Sequence, residues 1–158
     1  MVHHQYIVEI HWDSDRKGIM CSPELTVSSS PQGCIEVATP PQFPKGMAGI
    51  WSPEHLFTAS VSSCFMTTFL AIAENSKLEF EAFDCKATGI LEQVDGKLAM
   101  SEVQLEPRVT ILHEKDRDRT ERVLQRTESN CLISISIKSK VTMRTEVKVR
   151  ETKTATLG

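Results

Sequence analysis

Between Glu54 and Glu74 no side chain carries a full charge, and from Leu56 to Ala73 neither Gly nor Pro interrupts the run. Leu56, Phe57, Val61, Phe65, Phe69 and Ile72 supply large apolar groups. Ala59, Ser60, Ser62, Ser63, Thr67 and Thr68 supply small ones. Ser52 is an N-cap residue type, Pro53 suits the first helical position and Glu54 matches the positive end of the helix dipole. Asn75 is a stop signal. The pattern predicts one helix of about six turns. A helix apolar nearly all round is normally buried in something larger, and its rows of small residues admit the close approach of another backbone.

The flanking segments alternate with a period of two. Residues 5–12 read as a strand, 13–18 as a turn and Ile19–Cys21 as the return strand. A second hairpin is expected from a strand near Leu25–Val27, a turn over Ser30–Gly33 and a strand at Cys34–Ala38. The stretch TPPQFPKGMAG that follows can be neither helix nor central strand. Its Phe43 and Met47, with Ile50 just beyond, make it an unusually apolar loop. After the helix, Phe83–Val94, Asp95-Gly96 and Lys97–His113 read as strand, tight turn and long return strand. Val103, Leu105, Val109 and Ile111 share one parity of that strand. Glu114–Asn130 is a charged amphipathic helix anchored by Val123 and Leu124. Leu132–Ile137 is a short apolar connector, and Lys140–Arg150 alternates as a last strand with Val141, Met143, Val147 and Val149 inward. The order β-β-β-β-α-β-β-α-β implies an α+β fold in which antiparallel sheet covers the apolar helix.

Composition narrows the picture. A chain of 158 residues fits a single domain, 1–158. A formal net charge of -3 gives no basic footprint for nucleic acid. Residues 1–20 lack the apolar core of a signal peptide, and no uncharged run is expected to reach the length of a membrane span. Five cysteines without CxxC spacing fit a reduced cytoplasmic protein better than a disulfide scaffold. The five histidines show no metal-ligand spacing with the cysteines, so no metal site is expected.

The remaining question is which thiol reacts, and that turns on what lowers its pKa. Cys64 lies about three turns into its helix, beyond the reach of the macrodipole. Its helical neighbours are neutral, and burial raises a thiol pKa. A nucleophilic Cys64 is therefore expected to need an external cation. A unit charge at about 4 Å in an effective dielectric of about 20 contributes about 4 kcal/mol, equivalent to roughly three pKa units. Before Cys64 the chain offers one arginine, Arg16, and two lysines, Lys17 and Lys45. A guanidinium in the first turn can hold a thiolate and a carboxylate together, and Glu54 is the obvious carboxylate. Yet Glu54 and Cys64 stand about 15 Å apart along one helix axis. Either Arg16 spans that gap, or Glu54 comes from a second subunit; the missing polar face of the helix favours the second. Each residue also has an ordinary use. A lone cysteine on an apolar helix is commonly a small core hydrophobe, Glu54 a dipole-matched residue, Arg16 a solvated turn residue and Cys131 a structural helix end. Cys21, Cys34 and Cys85, on predicted strands, read as structural.

Taken together, the apolar Pro/Gly loop, Ser52-Pro53-Glu54-His55-Leu56-Phe57, Ala59, Ser63-Cys64-Phe65 and the amphipathic helix ending at Cys131 resemble the OsmC/Ohr family of thiol-dependent peroxidases. The resemblance covers roughly residues 5–150. Leu132 stands where the family often has Pro, and Ser52 where Asn is common. The resemblance implies an intertwined homodimer, with antiparallel sheets wrapped around two long central helices and active sites at the subunit interface. It implies Cys64 as the peroxidatic cysteine, Cys131 as the resolving one, Glu54 as the helix-start glutamate and Arg16 as the activating arginine. The implied reaction reduces an organic hydroperoxide to an alcohol through a Cys64 sulfenic acid and a Cys64–Cys131 disulfide, which an external dithiol, often on a lipoyl protein, reduces again. No cofactor is implied. The alternative is a non-enzymatic member of the fold that binds a small apolar ligand or senses oxidants.

Overall fold

The computed structural model describes residues 4–25 and 33–151. The chain falls into two compact units, residues 1–56 and 57–158. In the first, strands β1 (Glu9–Ser14), β2 (Lys17–Cys21) and β3 (Cys34–Ala38) form an antiparallel sheet in the order β1-β2-β3. The turn is tighter than the predicted six residues. Asp15 takes a positive φ of 45°, a conformation that short polar side chains tolerate, and a bulge between Trp12 and Ser14 absorbs the register. The first strand accordingly begins at Glu9 rather than at Gln5. In place of the strand predicted near Leu25–Val27, residues Pro23–Leu25 form a single 3-10 turn. The rest of that prediction, and most of the Ser30–Gly33 turn, lies outside the described residues.

Cys21 and Cys34 are register partners across β2 and β3 and are joined by a disulfide, with Cα atoms 4.1 Å apart. The expectation of five reduced thiols fails for this pair. A separation of 13 residues along the chain says nothing about two positions facing each other in a ladder. The Pro/Gly loop then returns to the sheet. Trp51 bridges Val37, Ala38 N–H donates to the Trp51 carbonyl at 2.9 Å, and Met47 N–H donates to the Thr39 carbonyl at 2.8 Å. At Gly46 an added Cβ would collide with the Pro40 carbonyl, so the tight fold of this loop requires glycine.

Helix α1 (Pro53–Asn75) starts and ends where its punctuation places it. Its C-terminus closes by a pair of hydrogen bonds, Leu78 N–H to Ala73 O and Lys77 N–H to Glu74 O, with Lys77 at φ 51°. This is the Schellman arrangement, with lysine where glycine is usual. Within the second unit the helix buries Val61, Phe65, Phe69 and Ala73, a stripe at spacing four. Phe69 packs edge-on against Phe80 and stacks on Phe83 at a centroid distance of 4.7 Å, and Phe65 also stacks on Phe83. The far side stays uncovered in the single chain: Met66 is 40% and Leu70 42% exposed. By length and composition the helix is also apolar enough to cross a membrane, contrary to the expectation drawn from charge spacing. Its packed stripe is that of a core helix.

The sheet under this stripe is the long hairpin of β4 (Phe80–Val94) and β5 (Lys97–Ile111), turned at Asp95-Gly96 with both residues at positive φ, as a primed hairpin turn requires. Val103, Leu105, Val109 and Ile111 are all buried. The predicted last strand is two, β6 (Lys140–Met143) and β7 (Glu146–Val149), and both pair with β5 in parallel. The sheet is therefore mixed, not antiparallel. The break at Arg144-Thr145 lets the chain continue along the same edge, where Arg144 N–H donates to the Leu105 carbonyl. The predicted helix over 114–130 divides into a 3-10 turn, Glu114–Asp116, and α2 (Arg117–Asn130), which buries Thr120, Val123, Leu124 and Thr127. The ambiguous connector is a short helix, α3 (Leu132–Ser136). We expect Phe69→Ala, which empties the centre of the aromatic cluster, to lower unfolding free energy by about 3–5 kcal/mol, measured by urea denaturation.

Candidate active site

Cys64 is one residue from Phe65, so the stripe that packs on the sheet holds its thiol at the stripe's edge, half-buried. Thr68, one turn further on, shares that edge, and its Oγ1 lies 4.0 Å from the Cys64 sulfur. The other half of the site comes from the junction of α2 and α3. Cys131 is extended, with φ -70° and ψ 110°, and it separates the two helices. A helix that restarts after such a break has first-turn N–H groups without intrahelical acceptors. The Leu132 and Ile133 amides turn theirs on Cys64.

The consequence is an acidified thiol. Burial pushes Cys64 up, but hydrogen bonds from the Ile133 amide, the Cys131 thiol, the Thr68 hydroxyl and the Leu132 amide outweigh it and hold the thiol below its ordinary range. The downward direction comes from neutral donors within one unit, a source beside the external cation expected from the sequence. Cys131, fully buried, moves the opposite way. Burial raises it most and the neighbouring Cys64 raises it further, while hydrogen bonds with Ser134 offset part of the rise. The two sulfurs are thus adjacent and unlike: hydrogen bonds draw one thiol down, and burial holds the other up.

Arg16 and Glu54 belong to the other unit. Arg16 is exposed in the β1–β2 turn, and its carbonyl accepts from Thr39 N–H at 3.1 Å. Glu54 is half-buried in the first turn of α1, with Oε2 buried. Both hang from the end of β3, through Thr39 and through the Val37–Trp51 bridge. The two thiols of the four candidate residues therefore lie in one unit, and Arg16 and Glu54 in the other. Cys85, on β4, is held above the ordinary thiol range by burial, which one backbone hydrogen bond from Glu106 does not offset. Sequence reasoning missed Thr68 and the two amides. Thr68 was within reach, since position i+4 shares a helix face with Cys64. The amides were not, because backbone donors leave no mark on residue type. Among the described residues no group of three or more His, Cys, Asp or Glu side chains is placed to hold a metal.

The fold and site thus combine an α+β core helix carrying Cys64 with a second, buried thiol, Cys131, beside it. The family model for OsmC-like proteins matches residues 46–146, and the chain belongs to that family. "Uncharacterized protein YmaD" of Bacillus subtilis is 24% identical over 95% of this chain and 97% of its own length. An OsmC-like protein of unknown function from Vibrio cholerae has the same fold, with a TM-score of 0.78 and 21% identity over 90% of this chain and 99% of its own. So does an organic hydroperoxide resistance protein from Legionella pneumophila, with a TM-score of 0.70 and 21% identity over 94% of this chain and 100% of its own.

Because neutral donors acidify Cys64, we expect iodoacetamide to alkylate it with a midpoint below the ordinary thiol pH, and Cys131 with a midpoint above it. Removing one donor in Thr68→Val should move the Cys64 midpoint upward and leave Cys85 unchanged. Peptide-resolved alkylation rates across pH check both.

Proposed function

We propose that this protein is a thiol-dependent peroxidase that reduces organic hydroperoxides. The observation that carries this reading is a Cys64 thiol drawn down by hydrogen bonds beside a Cys131 thiol held up by burial. In the reaction, the Cys64 thiolate attacks the outer peroxide oxygen. The O–O bond breaks, the alkoxide takes a proton and leaves as the alcohol, and Cys64 becomes a sulfenic acid. The Cys131 sulfur then attacks Cys64, a disulfide forms and water departs. An external dithiol reduces that disulfide by exchange, becoming a disulfide itself and restoring both thiols. The burial of Cys131 favours a protonated resting state, so its thiol loses its proton as the sulfenic acid condenses.

Arg16 and Glu54 act in this reading as the pair that orients the thiolate and the peroxide. Membership of the OsmC-like family, and a fold shared with hydroperoxide resistance proteins, support it. A homodimer is part of the same proposal. The uncovered Met66 and Leu70 on α1, and Tyr6, Val8, Ile10 and Trp12 exposed on and before β1, are apolar surface that a second copy would cover.

The test is steady-state consumption of cumene hydroperoxide with a dithiol reductant. Cys64→Ser should lose turnover by at least about a thousandfold, since catalysis by a residue acting in the covalent step is lost with it. Cys131→Ser should still form a sulfenic acid at Cys64, trapped by dimedone, but should fail to form the bridge seen by mass spectrometry after one equivalent of peroxide. A stoichiometric Cys64–Cys131 disulfide without turnover would replace the enzyme by an oxidant sensor.

A further inference from the structure

We propose that His55 is a positioning residue, a pH-sensitive clamp on the start of α1 that holds Glu54 in place. The inference rests on the peroxidase reading, in which Glu54 orients the thiolate. Ser52 is fully buried and caps α1 by accepting the His55 backbone N–H at 3.2 Å. The His55 ring reaches back in return. Its Nδ1 lies 2.8 Å from the Ser52 hydroxyl and accepts the Ser52 backbone N–H at 3.3 Å. This is a reciprocal capping box, with an imidazole in the place where Glu or Gln normally closes the pair.

That replacement has a chemical consequence. A backbone N–H can only donate, so Nδ1 must carry the lone pair and the ring proton must sit on Nε2. Protonation of the ring converts Nδ1 into a donor: the Ser52 hydroxyl can turn to accept from it, but the Ser52 backbone N–H loses its acceptor and the box is left with one side undone. A glutamine at the same position cannot change state in this way. Imidazole is the side chain that makes this change in the physiological range. Among the described residues, the Trp51 ring stands edge-on to the imidazole at 6.1 Å, Gly49 and Ile50 line the same pocket, and Ser52 bonds it. Glu54 is the titratable neighbour beside it along the chain.

Glu54 lies between the two partners of the box, so its backbone is held from both sides. The clamp is also anchored, because Trp51 is bridged to Val37 and accepts from Ala38 N–H, on the strand end whose next residue, Thr39, holds the Arg16 carbonyl. An intact box therefore fixes how Glu54 leaves the same strand end that carries Arg16.

The experiment combines peroxide kinetics from pH 5 to 8 with nitrogen-15 NMR of histidine in the full chain, for the native protein, His55→Ala and His55→Gln. NMR should show Nδ1 bare and Nε2 protonated at high pH, with Ser52 amide exchange rising as His55 titrates. His55→Ala should lower kcat/KM about fivefold, the change equivalent to losing one N-cap interaction. His55→Gln should recover most of that loss and leave only the acid-side fall that protonation of Cys64 itself produces, shallower than the native one. Native kinetics and an unaltered pH profile in His55→Ala would overturn the proposal, as would an Nδ1-protonated ring at pH 8. Failure of the peroxidase reading looks different: the native protein then shows no Cys64-dependent turnover, and the clamp stands or falls on the NMR signature alone.

Discussion

The packing of Val61, Phe65, Phe69 and Ala73 on the β4–β5 hairpin sets the position of everything else in the second unit. Buried aromatic rings contribute the largest apolar areas in a small core, and here Phe65 and Phe69 both stack on the partly buried Phe83. Once that stripe is seated, the rotation of α1 is settled, and with it the placement of Cys64 at the edge and not in the centre. A cysteine at the centre of the stripe would be an inert core group. At the edge it meets Thr68 on its own helix and the broken helix at Cys131 opposite.

The acidity of Cys64 then follows from unsatisfied backbone geometry rather than from charge. The chain stops α2 at Asn130, passes through one extended residue and starts α3 at once, which leaves amides with nothing to bond within their own helix. A thiolate is a suitable acceptor for them. The arrangement also separates the two thiols chemically, because the same burial that a donor-rich Cys64 overcomes is left largely uncompensated at Cys131. Two residues of the same type are thereby given opposite acidities by environment alone.

The first unit obeys a different constraint. It has a small sheet, tied by a disulfide at one end, and at the other a loop that is hydrogen-bonded within itself and to Ala38 and Thr39 at the end of β3. Arg16, Trp51 and the start of α1 hang from that one strand end. The Ser52–His55 box completes the frame, and it places a titratable ring where a carboxylate or amide would be the inert choice.

Much of this was legible in the chain. The limits of α1 follow from Ser52, Pro53 and Asn75, since capping is a local matter of unpaired N–H and C=O groups. The inward parity of Val103, Leu105, Val109 and Ile111 follows from the two-residue period of a pleated strand. The resemblance to the OsmC/Ohr family rests on residues around Glu54 and Cys64 that stand in plain view. What the chain alone could not decide were the relations between distant segments. The Cys21–Cys34 bond depends on strand register, the parallel pairing of β6 and β7 depends on which edge of β5 is free, and the donors on Cys64 are backbone groups with no residue signature. A linear pattern records which face of an element is apolar, but only tertiary structure decides which other element meets that face, and so which hydrogen bonds a buried sulfur receives.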